Sequence, residues 1–232
     1  MNLRTSMNAL SKQLWLELPP MSDTAPARLM VFFHGEGSSP EEFTPLALSW
    51  QLKFPGATVL VMQGQRERTP GRWEWYDSRG VGEPRLARLQ DAAKNMAIQI
   101  RDTQIQQGFS GESTILVGFS QGANLLLEIV RSHPELCGIA IAYSGRLMRP
   151  IRANENIGTP IHLIHGSLDS LVPLVYARQA FDGLKSIGAD VSLDVIEDGS
   201  HHIDQDMVIL GTTRAMQSVF KHRKQMRLKS LN

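Results

Sequence analysis

The feature that most limits what this chain can fold into is the alternation of short apolar runs with longer amphipathic stretches. Leu29 to Phe33 reads LMVFF, and Thr58 to Met62 reads TVLVM. ILVGF, GIAIAY, IHLIH and VSLDVI follow, beginning at Ile115, Gly138, Ile161 and Val191. A strand with one wet face alternates polar and apolar residues; an uninterrupted apolar run is what a strand covered on both faces needs. Between these runs, Leu86, Leu89, Ala93, Met96, Ile100 and Ile105 recur near helical spacing after Pro84. Further helices are expected over Gln121 to Ser132, from about Leu174 to Ile187, and from about Asp204 onward. Strands joined by helices of this length form βαβ units, which predicts an α/β fold: a mostly parallel central sheet with helices on both faces. QLWLEL, Gln13 to Leu18, does alternate and is expected as an early edge strand.

In such a sheet the chemistry collects beyond the carboxyl ends of the strands. Those ends carry His34-Gly35-Glu36-Gly37, then Gln63-Gly64, Ser120, Ser144-Gly145, His165-Gly166 with Asp169, and His201. A nucleophile, a carboxylate and histidines therefore fall where a site should form. Gly118-Phe119-Ser120-Gln121-Gly122 matches G-x-S-x-G with an expected strand before it and a helix after it, the context that gives the motif its meaning. In that context the serine sits on a strained turn with its hydroxyl presented outward. The N–H of the next residue, Gln121, faces a developing oxyanion. A glycine-rich turn with Ser120 as an ordinary helix cap is the plainer alternative.

Serine is a weak nucleophile unless a base takes its proton, and that base must itself be held by a third group. Asp169 in HGSLDSLVP is the candidate acid, weighed against a turn aspartate of no further role. The segment VIEDGSHHID offers His201 and His202 as base. His201 is preferred, because Gly199-Ser200 supplies the turn and Ile203 reads as the first buried residue of the next segment. The backbone N–H of Glu36, in the loop after LMVFF, is the second oxyanion candidate, with the His34 side chain bracing that loop. Five residues, His162, His165, Asp169, His201 and His202, can be imagined as a metal cluster. Metal spacing such as H-E-x-x-H is lacking, and neither metal nor cofactor is expected.

FFHGEG, GFSQGA, IHLIHGSLDSLVP and EDGSHHI together resemble the phospholipase/carboxylesterase branch of α/β-hydrolases, which includes acyl-protein thioesterases and small bacterial carboxylesterases. The resemblance spans about residues 29 to 205. It implies hydrolysis of carboxylic esters or thioesters through the triad Ser120, Asp169 and His201, without a cofactor. It further implies that Trp75 and Tyr76, in GRWEWYDSRG, border the acyl site. Glu36 and Ser38 depart from the family pattern, which usually has an apolar residue and often Asp there; a carboxylate at Glu36 would disfavour anionic substrates.

A net charge of +1 gives no whole-molecule field to gather nucleic acid. Cys137 is the single cysteine, so no internal disulfide forms, and a buried thiol is expected. No stretch resembles a signal peptide or a membrane span, so a single cytoplasmic domain over residues 1–232 is expected. Its partner is a small acyl-ester substrate, with no integral membrane association and a homodimer left open. The basic stretch at about 221–232 reads as a solvated helix end, with weak attraction to anionic membranes as the functional alternative. Ser144 to Thr159 has room for one or two helical turns, so no large cap domain covers the site, and short to medium acyl groups are favoured. A thioesterase, a lysophospholipase, a peptidase or a non-catalytic binding scaffold on the same fold are the rival readings.

Overall fold

The computed structural model describes residues 15–22 and 27–229, apart from the side chains of Trp15 and of residues 225–229. Its elements run β1 (Trp15–Leu18), β2 (Arg28–Phe33), α1 (Pro40–Gln51), β3 (Ala57–Met62), β4 (Arg66–Thr69), β5 (Arg72–Glu74) and α2 (Glu83–Gln107). The second half runs β6 (Thr114–Phe119), α3 (Gln121–Ser132), β7 (Ile139–Tyr143), β8 (Ile161–Gly166), α4 (Val175–Ser186), β9 (Val191–Ile196) and α5 (Gln205–Lys229). Seven strands form one sheet in the order β1-β3-β2-β6-β7-β8-β9. All pairings in it are parallel except β1 with β3. This is an α/β-hydrolase sheet, as expected, with no large cap among the described residues. Gln13 and Leu14 of the expected first strand lie outside the described residues, as does the end of the basic tail.

The unbroken apolar runs have a direct explanation. Successive side chains of a strand point to opposite faces. Val31, Phe33, Leu60 and Leu116 meet α2 and α3 through Leu89, Met96, Leu126 and Ile129. Their neighbours Met30, Phe32, Val59 and Val117 meet α1 and α5 through Phe43, Trp50, Met207 and Ala215. Two cores, one per face, leave these central strand positions no wet side.

Two expectations change. Ile105 is 74% exposed, while Gln104 is buried and donates to Thr114 Oγ1 (2.8 Å) and the Leu136 carbonyl (2.9 Å). Gln104 lies four residues from Ile100 and continues the inward stripe; Ile105 is one step off it. The sequence reading also passed over α1 and the β4–β5 hairpin. Pro45 inside α1 argues against a helix, and the exposed β4, RERT, has no apolar period at all. Cys137 is buried as expected, and burial pushes its thiol up to about 12. Among the described residues no helix is long and apolar enough to cross a membrane.

The stretch from Ser144 to Thr159 holds turns only. It is pinned by Arg131, whose side chain is 1% exposed and pairs with Glu155 at 2.5 and 2.8 Å. The same guanidinium donates to the carbonyls of Arg149 and Pro150.

His162 ties three elements together. Its Nδ1 lies 2.7 Å from Ser192 Oγ of β9, and its Nε2 lies 2.8 Å from Ser218 Oγ of α5. Burial, reinforced by Arg214, lowers this imidazole to about 4. The unfolded chain takes up a proton near ~6.5 that the folded chain refuses, so stability falls as pH drops from ~6.5 toward 4. The thermal midpoint should fall across that window, and His162→Gln should flatten the slope. An unchanged slope in the variant would show that His162 does not carry the effect.

Candidate active site

Ser120 sits between β6 and α3 with φ 53° and ψ −116°, a region that a residue with a Cβ occupies only when its surroundings hold it there. Its N–H donates to the Tyr143 carbonyl of β7 (2.9 Å), which fixes the turn to the neighbouring strand. The motif glycine Gly122 is required by close approach: a Cβ there would run into the carbonyl oxygens of Phe33 and His34. The start of α3 can thus lie directly on the end of β2. Strain at the serine and contact at the glycine together present the hydroxyl at the carboxyl edge of the sheet.

His201 reaches that hydroxyl from the loop after β9. Its Nε2 is 2.9 Å from Ser120 Oγ, and its Nδ1 is 2.7 Å from Asp169 Oδ2. Asp169 Oδ1 accepts from the N–H groups of Leu171 (3.0 Å) and Val172 (2.8 Å), so both carboxylate oxygens are occupied as acceptors. The imidazole proton therefore belongs on Nδ1, leaving Nε2 to accept from the serine. Gly166 makes the meeting of the two loops sterically feasible. A Cβ on it would strike the Gly199 carbonyl, to which the Leu168 N–H donates at 2.8 Å.

His202 is exposed and turns away, with its Nδ1 2.7 Å from Ser200 Oγ. His165 lies behind the acid: its Nε2 donates to the Val172 carbonyl (2.6 Å) and sits 3.4 Å from Asp169 Oδ2. Burial lowers its basicity, which suits a neutral ring bracing the loop. Among the described residues no three His, Cys, Asp or Glu side chains are arranged to hold one metal ion.

The loop after β2 lies against the nucleophile. A Cβ on Gly35 would come within 3.6 Å of Ser120 Cβ. The next residue along is Glu36, and Gln121 follows the nucleophile directly. The latter is the first residue of α3, so its N–H has no intrahelical acceptor. His34 holds this loop, with Nδ1 donating to its neighbour Gly35 (2.7 Å) and Nε2 accepting from the Gly64 N–H (3.1 Å). Burial lowers this imidazole too, keeping the accepting nitrogen unprotonated.

The Glu36 side chain is neutralised where it stands, by Arg68, by Ser78 Oγ (3.0 Å) and by the Gln121 amide (3.2 Å). The Gln121 side chain was missed by sequence reasoning. Its Oε1 accepts from the Trp75 N–H (2.7 Å) and its amide donates to the Tyr76 carbonyl (3.1 Å). No local pattern could mark it, since its partners lie more than forty positions away.

The expectation that Trp75 and Tyr76 form an acyl wall is corrected. They are 1% and 2% exposed, and their rings belong to the core under the loop. The Trp75 indole packs on Phe33 and donates to the His34 carbonyl (2.8 Å), while the Tyr76 hydroxyl meets Asn124 (3.3 Å). They support the loop after β2 and the start of α3, and space open to substrate lies elsewhere. A groove of about 500 Å³ runs from His201 and Glu36 between α1 and the start of α5, with Phe43, Leu46, Phe119 and Val208 as its apolar lining.

Residues 21–213 match the model of the phospholipase/carboxylesterase family. The chain is 32% identical over 202 residues to Esterase YpfH of Escherichia coli K12, covering 86% of this chain and 87% of that one. It is 27% identical over 180 residues to acyl-protein thioesterase 1 of Eremothecium gossypii, covering 66% and 75%. The crystal structure of esterase PE8 superposes with a TM-score of 0.79 at 30% identity, covering 87% of this chain and 96% of that one.

Proposed function

From the premise that the chain belongs to the phospholipase/carboxylesterase family of hydrolases, we propose that it cleaves short to medium acyl esters at Ser120 through an acyl-enzyme. The observation that carries this is the continuous chain Ser120 Oγ, His201 Nε2, His201 Nδ1, Asp169 Oδ2, at 2.9 and 2.7 Å. Ser120 Oγ attacks the acyl carbonyl while His201 takes its proton. The negative charge forming on the carbonyl oxygen meets the N–H groups of Glu36 and Gln121. His201 then returns the proton to the departing alcohol or thiol. Water repeats the sequence on the acyl-serine, releasing the acid and restoring the hydroxyl. The whole chain works as one unit of this kind, and a reducing compartment such as the cytoplasm suits its lone buried thiol.

With no large cap over the carboxyl end of the sheet among the described residues, a long alkyl tail finds little wall to cover it. Each CH₂ that is buried contributes ~0.8 kcal/mol, or about fourfold in kcat/KM. A series of esters and thioesters from acetyl to palmitoyl should therefore peak near butyryl to hexanoyl and then level or fall. A rise that continues to palmitoyl would overturn the short-chain assignment in favour of the thioesterase or lysophospholipase reading on the same triad.

A further inference from the structure

On the face of the sheet opposite the His201 groove, a second recess of about 370 Å³ opens at the carboxyl end of the strands. The start of α2, the loop after β7 and the start of α4 form it, with Leu86, Leu147 and Met148 as apolar wall and Arg85, Arg146 and Arg149 on its rim. Two of the three arginines are uncompensated. Arg149 is spent on Glu128 (3.3 Å) and Glu155 (3.2 Å). Arg85 and Arg146 have no carboxylate partner among the described residues, and the only acidic residue of the recess is Glu83.

Arg146 is anchored to the nucleophile's own helix, and Arg85 faces the same recess from the start of α2. Arg146 stands three residues beyond Tyr143, whose carbonyl holds the Ser120 N–H, and its own N–H donates to Asn124 Oδ1 (2.8 Å). Gly145 before it packs on Ala123 of α3. The Arg146 guanidinium rests over the Tyr176 ring at 5.0 Å, which fixes its plane and leaves its edge donors available. Arg85 carries a buried Nε–H with no acceptor among the described residues. A donor in that state costs free energy, so a small turn of the side chain that brought it to an anion in the recess would be favoured.

We infer that this recess binds the carboxylate end of the substrate's acyl chain, so that the preferred substrates are half-esters or half-thioesters of short dicarboxylic acids. The inference rests on the esterase reading above. The leaving group must sit beside His201, which hands it a proton, so it takes the groove between α1 and α5. The acyl portion then points across Ser120 toward α2 and α4, where the two guanidinium groups offer the paired, planar donors that suit a carboxylate. The Glu36 carboxylate does not oppose this, being paired to Arg68 and bonded by the Gln121 amide.

The test compares mono-p-nitrophenyl glutarate with p-nitrophenyl valerate, equal in acyl length and differing in the terminal charge. The glutarate ester should have kcat/KM about tenfold or more above valerate at low salt, through a lower KM. The preference should shrink in 0.5 M NaCl. Arg146→Gln and Arg85→Gln should each lower the glutarate-to-valerate ratio, Arg146→Lys should keep part of it, and Arg146→Glu should invert it. Arg178→Gln, an exposed change on α4, should leave the ratio as it was. Equal or better turnover of valerate by the wild type overturns the inference, as does a ratio unmoved by the Arg85 and Arg146 variants. Failure of the esterase reading looks different: neither ester would be turned over, whatever its charge.

Discussion

Ser120→Ala is expected to lower kcat for butyryl esters by about ten-thousandfold or more, and to abolish labelling by a fluorophosphonate probe. Removing one member of a triad costs nearly as much as removing all, because the three act as one proton-transfer unit. The proposed oxyanion donors, the backbone N–H groups of Glu36 and Gln121, survive the change, so a small residual rate over water should remain. The fold should barely notice. Among the described residues the lost hydroxyl bonds to His201 Nε2, and alanine meets the same backbone demand at φ 53° as serine does. Thermal unfolding should shift by no more than ~1 kcal/mol equivalent. Full labelling of the folded variant would sink the nucleophile assignment and leave the fold untouched.

The second large effect separates two adjacent histidines. His201→Ala should cost several orders of magnitude in kcat, whereas His202→Ala should cost less than ~tenfold. The reason is geometric. His201 stands between Ser120 and Asp169, while His202 is exposed and bonded to Ser200 within its own turn. Asp169→Asn should be nearly as severe as His201→Ala. An amide at that position would present a donor to Nδ1 or stabilise the wrong tautomer, and Nε2 would no longer be free to accept. A reversed ranking, with His202→Ala inactive and His201→Ala active, would mean that the loop after Gly199 rearranges before catalysis.

How much of this was legible in the chain itself follows from how local each signal is. The two-faced burial of β2, β3, β6, β7 and β8 is written in runs such as LMVFF and IHLIH, since each position answers to its own face of the sheet. Ser120, Asp169 and His201 were likewise readable, because a strand-end turn imposes residue types at short range. The structure places them within hydrogen-bonding distance. Helix α1 was hidden by Pro45, a residue whose local preference opposed the packing that won, with Phe43, Ala47 and Trp50 buried against the sheet.

What only the tertiary structure decided is where side chains with ambiguous local meaning end up. Trp75 and Tyr76 follow a polar hairpin and read equally well as exposed cleft walls or as core. The folded chain buries them, because the Gln121 side chain and the His34 carbonyl, remote in sequence, satisfy their polar atoms there. The same holds for Glu36, whose charge is offset by an arginine on the hairpin, and for Arg85 and Arg146, left uncompensated when Glu128 and Glu155 are taken by Arg131 and Arg149. Periodicity and turn chemistry act over a few residues and so are carried by the sequence. The sharing of a limited set of carboxylates, carbonyls and apolar cover among distant claimants is settled only when the whole chain packs.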